Sequence, residues 1–129
     1  MKNIEIVRFF NHAGEIKKKK LPVKIGFALN RNITSLEGIA ADYNRAREEI
    51  LKKHCIKDAE GNYLMENEEY VIPDKNAYTE EMEELLNFKN EVQIQKVTME
   101  DMEKCDSEKF DSLTPEELEL LSFMIEGGA

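Results

Sequence analysis

The chain has 129 residues, 41% of them hydrophobic and 35% charged, with 3 Pro, no Trp and a net charge of −9. That length predicts one domain around one core, and the high charge predicts an ionic surface and a helix-rich fold rather than an all-β one. No apolar run is long enough to span a membrane, Met1–Glu5 lacks the apolar run of a signal peptide, and two widely spaced cysteines make no disulfide framework.

The charge is unevenly spread. Residues 1–57 carry 13 Lys/Arg and 6 Asp/Glu, a net +7; residues 58–129 carry 5 and 21, a net −16. Two halves of opposite sign either pair with each other or present two distinct faces.

From Asn3 to about Lys19, Ile4, Val7, Phe10 and Ile16, with Ile6 and Phe9 beside them, predict a helix with one apolar face. Lys17, Lys18, Lys19 and Lys20 follow, suited to the negative end of a helix dipole and a candidate basic patch. Pro22 is a favoured first helical residue. From there to about His54, Leu29, Ile33, Leu36, Ala40, Tyr43, Arg47 and Ile50 recur at steps of four and three, as in a heptad seam. A helix of this length spans about 48 Å, more than a compact domain of this size covers. Part of its seam is therefore expected on the first helix and part on a second copy of the chain. Leu29, Ile33, Leu36, Tyr43, Arg47 and Ile50 form the candidate interaction face. Asn30, Asn32, Thr34 and Gly38 lower helix propensity and predict a kink near 30–34.

Lys52, Lys53 and His54 close that helix, and Asp58-Ala59-Glu60-Gly61-Asn62 predicts a turn. Tyr63–Met65 and Tyr70–Ile72 predict a hairpin. Asp74 is a natural N-cap for a third helix to about Phe88, with Tyr78, Met82, Leu85 and Leu86 inward and Glu80, Glu81, Glu83 and Glu84 outward. The alternation in Glu91–Val97 predicts a third strand, and Thr98 a cap for a short helix through Met102. Thr114-Pro115-Glu116-Glu117 is a capping box with proline at the first helical position. It opens a last helix, with Leu118, Leu121 and Ile125 inward, ended by Gly127 and Gly128. The expected fold is α+β: an N-terminal helical hairpin with one long helix, a small three-stranded antiparallel sheet and C-terminal helices. It forms a single domain over 1–129, with a basic helical arm (1–57) and an acidic α+β lobe (58–129).

Chemical signatures are weak. His12 and His54 fall on different helices, and neighbouring positions such as His54 and Cys55 point to different sides of a helix, which predicts neither a metal site nor a Cys/His catalytic pair. Gly14, Gly26 and Gly38 are isolated and do not spell a phosphate loop. The expectation is no catalytic residue, no cofactor and no metal.

The stretches Leu21–Ile33 and Ala46–Leu51, the Lys57–Gly61 turn, the Glu91–Val97 strand and the Leu113–Leu118 helix start, in this order, resemble a family of small uncharacterised phage and prophage proteins of Gram-positive bacteria. The resemblance implies a phage or prophage source, and no functional residue comes with it. The resulting expectation is a non-enzymatic accessory protein in the cytoplasm of the bacterial host cell, acting through contacts with a protein partner or as a homodimer. Two alternatives differ in partner: an acidic inhibitor of a nucleic-acid-binding host protein, and nucleic-acid binding by the basic arm. The net negative charge opposes the second. No membrane partner is expected.

Overall fold

The computed structural model describes residues 1–127. Two helices lead, α1 (Asn3–Lys17) and α2 (Val23–His54). A two-stranded antiparallel hairpin follows, β1 (Met65–Glu66) and β2 (Glu69–Tyr70), then α3 (Lys75–Asn87), α4 (Met99–Glu103) and α5 (Pro115–Leu120). Short 3-10 turns follow α4 (Lys104–Asp106) and α5 (Ser122–Met124).

The helical hairpin forms because α1 and α2 each bury one stripe. Ile6, Phe9, Ala13 and Ile16 are the buried apolar residues of α1, at steps of three and four. Ile4, Val7 and Phe10 flank that stripe half-buried, so the apolar face is rotated from the expected one. On α2 the buried stripe is Ile25, Ala28, Leu29, Asn32 and Leu36, continuing to Tyr43 and Leu51. Pro22 stands at the N-cap of α2, one position before the expected helical start. The helix is continuous through 30–34. There the Thr34 hydroxyl bonds back to the Asn30 carbonyl at 3.1 Å, and the Asn32 amide is engaged outside the helix.

At 1.5 Å per residue α2 is about 48 Å long and α1 about 22 Å, so α1 alone cannot cover α2. The rest of the cover comes from the acidic half. Val97, Met102, Cys105, Leu121, Met124 and Ile125 join the stripes of α1 and α2 in one hydrophobic cluster. Phe123 meets Phe9 edge to face at 5.0 Å. Further along α2, α3 packs across the helix and also touches α1. Tyr78, Met82, Leu85 and Leu86 of α3 are half-buried, none of them fully. Its N-cap is Asp74, as predicted, accepting from the Ala77 N–H at 3.0 Å.

The sheet has two strands, not three. The hairpin is shifted from the expected register: Met65 pairs with Tyr70 and Glu66 with Glu69, closed by Asn67 and Glu68 at φ 52° and 66°. Ile56, just after α2, bonds to both arms of the hairpin at its open end, and Lys57 bridges Tyr63. Leu64 N–H donates to the Ile56 carbonyl at 2.8 Å, and Ile56 N–H donates to that of Val71 at 3.0 Å. The predicted third strand, Glu91–Val97, pairs with no strand. A side chain takes the strand's place: Asn32 donates through Nδ2 to the Gln95 carbonyl at 2.9 Å and accepts the Gln95 N–H at 2.7 Å through Oδ1. Val97 makes a single parallel bridge to Ile125.

The last helix is shorter than predicted. The Thr114 capping box forms, with Glu117 N–H donating to Thr114 Oγ1 at 3.1 Å, but α5 stops at Leu120. Leu121, Met124 and Ile125 must all reach the core, and the Glu126 N–H donates to the Val97 carbonyl at 2.7 Å, which a continued helix would forbid. Gly127, at φ 74°, turns the chain there; Gly128, the other expected stop, lies outside the described residues.

Candidate functional site

The six residues of the expected interaction face divide between core and surface. Leu29 and Leu36 lie inside the chain's own core, 1% and 0% exposed, and Tyr43 is buried. Ile33 is half-buried against the same cluster. Only the far end of the face opens outward: Arg47 is exposed, and Ile50 is half-buried at the edge of a groove between α2 and α3. The heptad-like spacing is thus absorbed over its first half by the monomer's packing.

The lysine run is also partly engaged. Lys19 Nζ binds Glu117 Oε1 at 2.7 Å and the Ser112 carbonyl at 2.9 Å. Lys20 uses its backbone, donating N–H to Asp111 Oδ2 at 2.6 Å and accepting the Asp111 N–H at 2.9 Å. Lys18 lies near Glu15 on the surface, 3.5 Å apart. The turn between α1 and α2 is therefore strapped to the loop before α5.

Two more clasps of this kind join the basic half to the acidic half. Lys24 Nζ meets Asp101 Oδ2 at 2.9 Å, and that oxygen also accepts the Thr98 N–H at 3.0 Å. The Thr98 backbone hydrogen bond first, and Lys24 after it, hold the Asp101 carboxyl down at about 2. At the far end of α2, Lys53 Nζ binds Glu81 Oε1 at 2.6 Å and His54 Nε2 lies 2.9 Å from Glu81 Oε2. Lys53, then His54, lower the Glu81 carboxyl. At Glu117 burial pushes the carboxyl up, but the bonds from Lys19 and Thr114 outweigh it and leave it lowered.

Other carboxylates remain outside these clasps. Glu80, Glu83 and Glu84 on the outer side of α3, and Glu66, Glu68 and Glu69 on the hairpin, are exposed and have no ion-pair partner among the described residues. Large apolar side chains stand exposed in the same lobe: Met65, Tyr70 and Phe88. Tyr70 meets Tyr63 edge to face at 5.8 Å.

The groove between the end of α2 and α3, about 530 Å³, is lined by Glu49, Ile50, Lys52, Lys53 and Glu81. Apart from Ile50 its walls are charged, unlike the apolar pockets that hold small molecules. A second cleft, about 480 Å³, lies between α1 and the C-terminal turns, with Arg8, His12, Glu116 and Glu119 at its rim. His54 and Cys55 point apart: the imidazole faces Glu81, and the buried Cys55 thiol is 3.3 Å from the Ile56 carbonyl. Burial pushes the Cys105 thiol up, away from the thiolate form that a nucleophile needs. Among the described residues no group of three or more His, Cys, Asp or Glu is placed to hold a metal ion, and no helix is long and apolar enough to cross a membrane.

The residues that sequence reasoning missed are Asn32 and Glu81. Asn32 breaks an apolar stripe at its buried position, a signal for a buried polar contact. Glu81 lies among four glutamates, and nothing in the pattern separates it from its neighbours. No known protein family matches the chain, and neither does a curated protein or a solved structure.

Proposed function

We propose that the chain is a non-enzymatic accessory protein, of phage or prophage origin as its resemblance implies, that works by binding a partner with a basic surface. The observation that carries this reading is the division of its charges. Lys19, Lys24 and Lys53 are engaged within the chain, clasping the two halves together, while the carboxylates of α3 and the hairpin face solvent. A field of one sign steers a partner of the other. Exposed Met65, Tyr70 and Phe88 add the aromatic and methionine side chains in which interface cores are enriched. Binding of nucleic acid by the basic arm is less favoured, since three of its lysines already hold carboxylates and the net charge repels phosphate.

The test compares the tagged native chain with the triple variant Glu80→Gln, Glu83→Gln, Glu84→Gln in infected or lysogenic cells, using cross-linking and mass spectrometry. A partner cross-linked through a Lys/Arg-rich surface to α3 or the hairpin, and lost from the triple variant, is the expected result. Equal recovery of the same partners by both chains, or cross-links confined to α1, would refute the reading.

A further inference from the structure

The two faces of the hairpin differ in chemistry. Cross-strand partners in an antiparallel pair share a face, and successive residues alternate between faces. Glu66 and Glu69 therefore stand on one side, and Met65 and Tyr70 on the other. Tyr63, two residues before Met65, joins that second side: its ring meets Tyr70 at 5.8 Å, with the planes 81° apart. Lys57 bridges Tyr63, and its Nζ lies over the Tyr63 ring, 5.9 Å from the centroid. Met65 and Tyr70 are 51% and 44% exposed, so aromatic and thioether surface stays uncovered beside the lysine.

Lys57 shows what this surface attracts. The chain has 27 Asp and Glu, yet among the described residues Lys57 pairs with none of them. Its ammonium rests on an aromatic ring instead. The face of a ring carries negative potential and attracts a cation within about 6 Å of its centroid. Lys57 sits at the limit of that range, a loose contact that a better-placed cation can displace. No cation lies over the Tyr70 ring among the described residues. Carboxylates add to the attraction. Burial first, and the Glu48 carboxylate after it, push the Tyr63 phenol up, with a smaller contribution from Glu49. Both glutamates are exposed near the end of α2, and the 3.8 Å contact of Glu48 with exposed Arg47 is a surface pair of little strength. Rings combined with carboxylates suit a guanidinium above an ammonium, because its plane stacks on a ring while its edge still donates to a carboxylate.

We propose that the Tyr63–Tyr70 face, with Met65 beside it and the carboxylates of Glu48 and Glu49 behind it, seats an arginine side chain of a partner protein. The inference rests on the reading of a partner with a basic surface, and it names the side chain that anchors that partner. The probes are acetylated, amidated hexa-arginine and hexalysine peptides, equal in charge, titrated by NMR in about 0.15 M salt. Hexa-arginine is expected to shift the ring resonances of Tyr63 and Tyr70. Tyr70→Leu is expected to weaken hexa-arginine about fivefold and hexalysine less than about twofold, while Tyr70→Phe keeps the ring and stays within about twofold of native. Equal binding of hexa-arginine by the native chain and Tyr70→Leu, or an equal loss of both peptides, overturns the proposal. If hexa-arginine is lost from Glu80→Gln, Glu83→Gln, Glu84→Gln but not from Tyr70→Leu, the acidic face of α3 stands and this site falls. A loss in Tyr70→Leu alone supports this site and not the face of α3. Should Tyr70→Leu disturb the hairpin, the native chain decides: ring resonances of Tyr63 and Tyr70 that stay fixed as hexa-arginine is added overturn the proposal.

Discussion

Replacing Asn32 tests whether a single buried amide holds the extended segment on the helical hairpin. Asn32 is fully buried and makes both hydrogen bonds to the Gln95 backbone, at 2.9 and 2.7 Å. A typical internal hydrogen bond contributes about 1 kcal/mol net, and a buried group left unpaired costs about 1–3 kcal/mol. Asn32→Ala deletes both bonds, strands the Gln95 N–H and C=O, and opens a small cavity, so the expected loss is about 3 kcal/mol. That is a large share of the roughly 5–15 kcal/mol that stabilises a domain. Urea unfolding monitored by circular dichroism measures it, as a fall in midpoint at constant slope. Gln95→Ala is the control: its side chain is exposed and only its backbone is used, so it should lie within about 0.5 kcal/mol of native. Asn32→Asp separates donor from acceptor. It retains an oxygen for the Gln95 N–H but sets a carboxylate against the Gln95 carbonyl, which raises the Asp pKa in the folded state. Its deficit is therefore small at a pH below the normal Asp value and grows as pH rises through the raised one. A loss under about 0.5 kcal/mol for Asn32→Ala, or a pH-independent deficit for Asn32→Asp, would refute this account of Asn32.

Three further outcomes follow from the same structure. Asp101, held at about 2 against an ordinary 3.8, contributes stability that is complete above the ordinary value and lost as pH falls toward 2; Asp101→Asn should flatten that part of an acid titration of stability. Leu36→Ala should cost about 2–5 kcal/mol in denaturant unfolding, because Leu36 is fully buried, whereas Arg47→Ala should change stability by less than about 0.5 kcal/mol. Glu68 occupies the left-handed region at φ 66° between Glu66 and Glu69, so Glu68→Gly should raise the thermal midpoint, by about 1 kcal/mol of stability.

Local signals in the sequence located the helices well and the sheet poorly. The Thr114 and Thr98 capping boxes and the Asp74 cap form as their residues predict, because a cap satisfies backbone groups within four residues and needs no distant partner. Strand pairing is non-local, and alternation in Glu91–Val97 reports only that one side of the segment is buried. It cannot distinguish a neighbouring strand from the Asn32 side chain, since both offer one acceptor and one donor to Gln95. The heptad spacing of α2 had the same ambiguity. It identifies a buried stripe, and the C-terminal residues Leu121, Met124 and Ile125 cover that stripe in place of a second helix of the same kind. The charge division was legible as a total, but which carboxylates are paired depends on contacts far apart in the chain, such as Lys24 with Asp101 and Lys53 with Glu81.

Those long-range pairs bear on why the chain carries so many acids. Exposed ion pairs contribute little to stability, and a net −9 works against a compact state. The three clasps use Asp101, Glu81 and Glu117, each tied to a lysine of the basic half. Folding gives no comparable use to Glu80, Glu83 and Glu84, or to the hairpin glutamates, where Glu66 directly opposes Glu69 and like charges across a strand pair are destabilising. The hairpin turn adds a second local cost in Glu68, placed where glycine would be easier. Features that lower stability without serving the core are what the proposed cationic partner would account for and solubility alone would not, since solubility requires net charge and not a glutamate in the left-handed region at the tip of a hairpin.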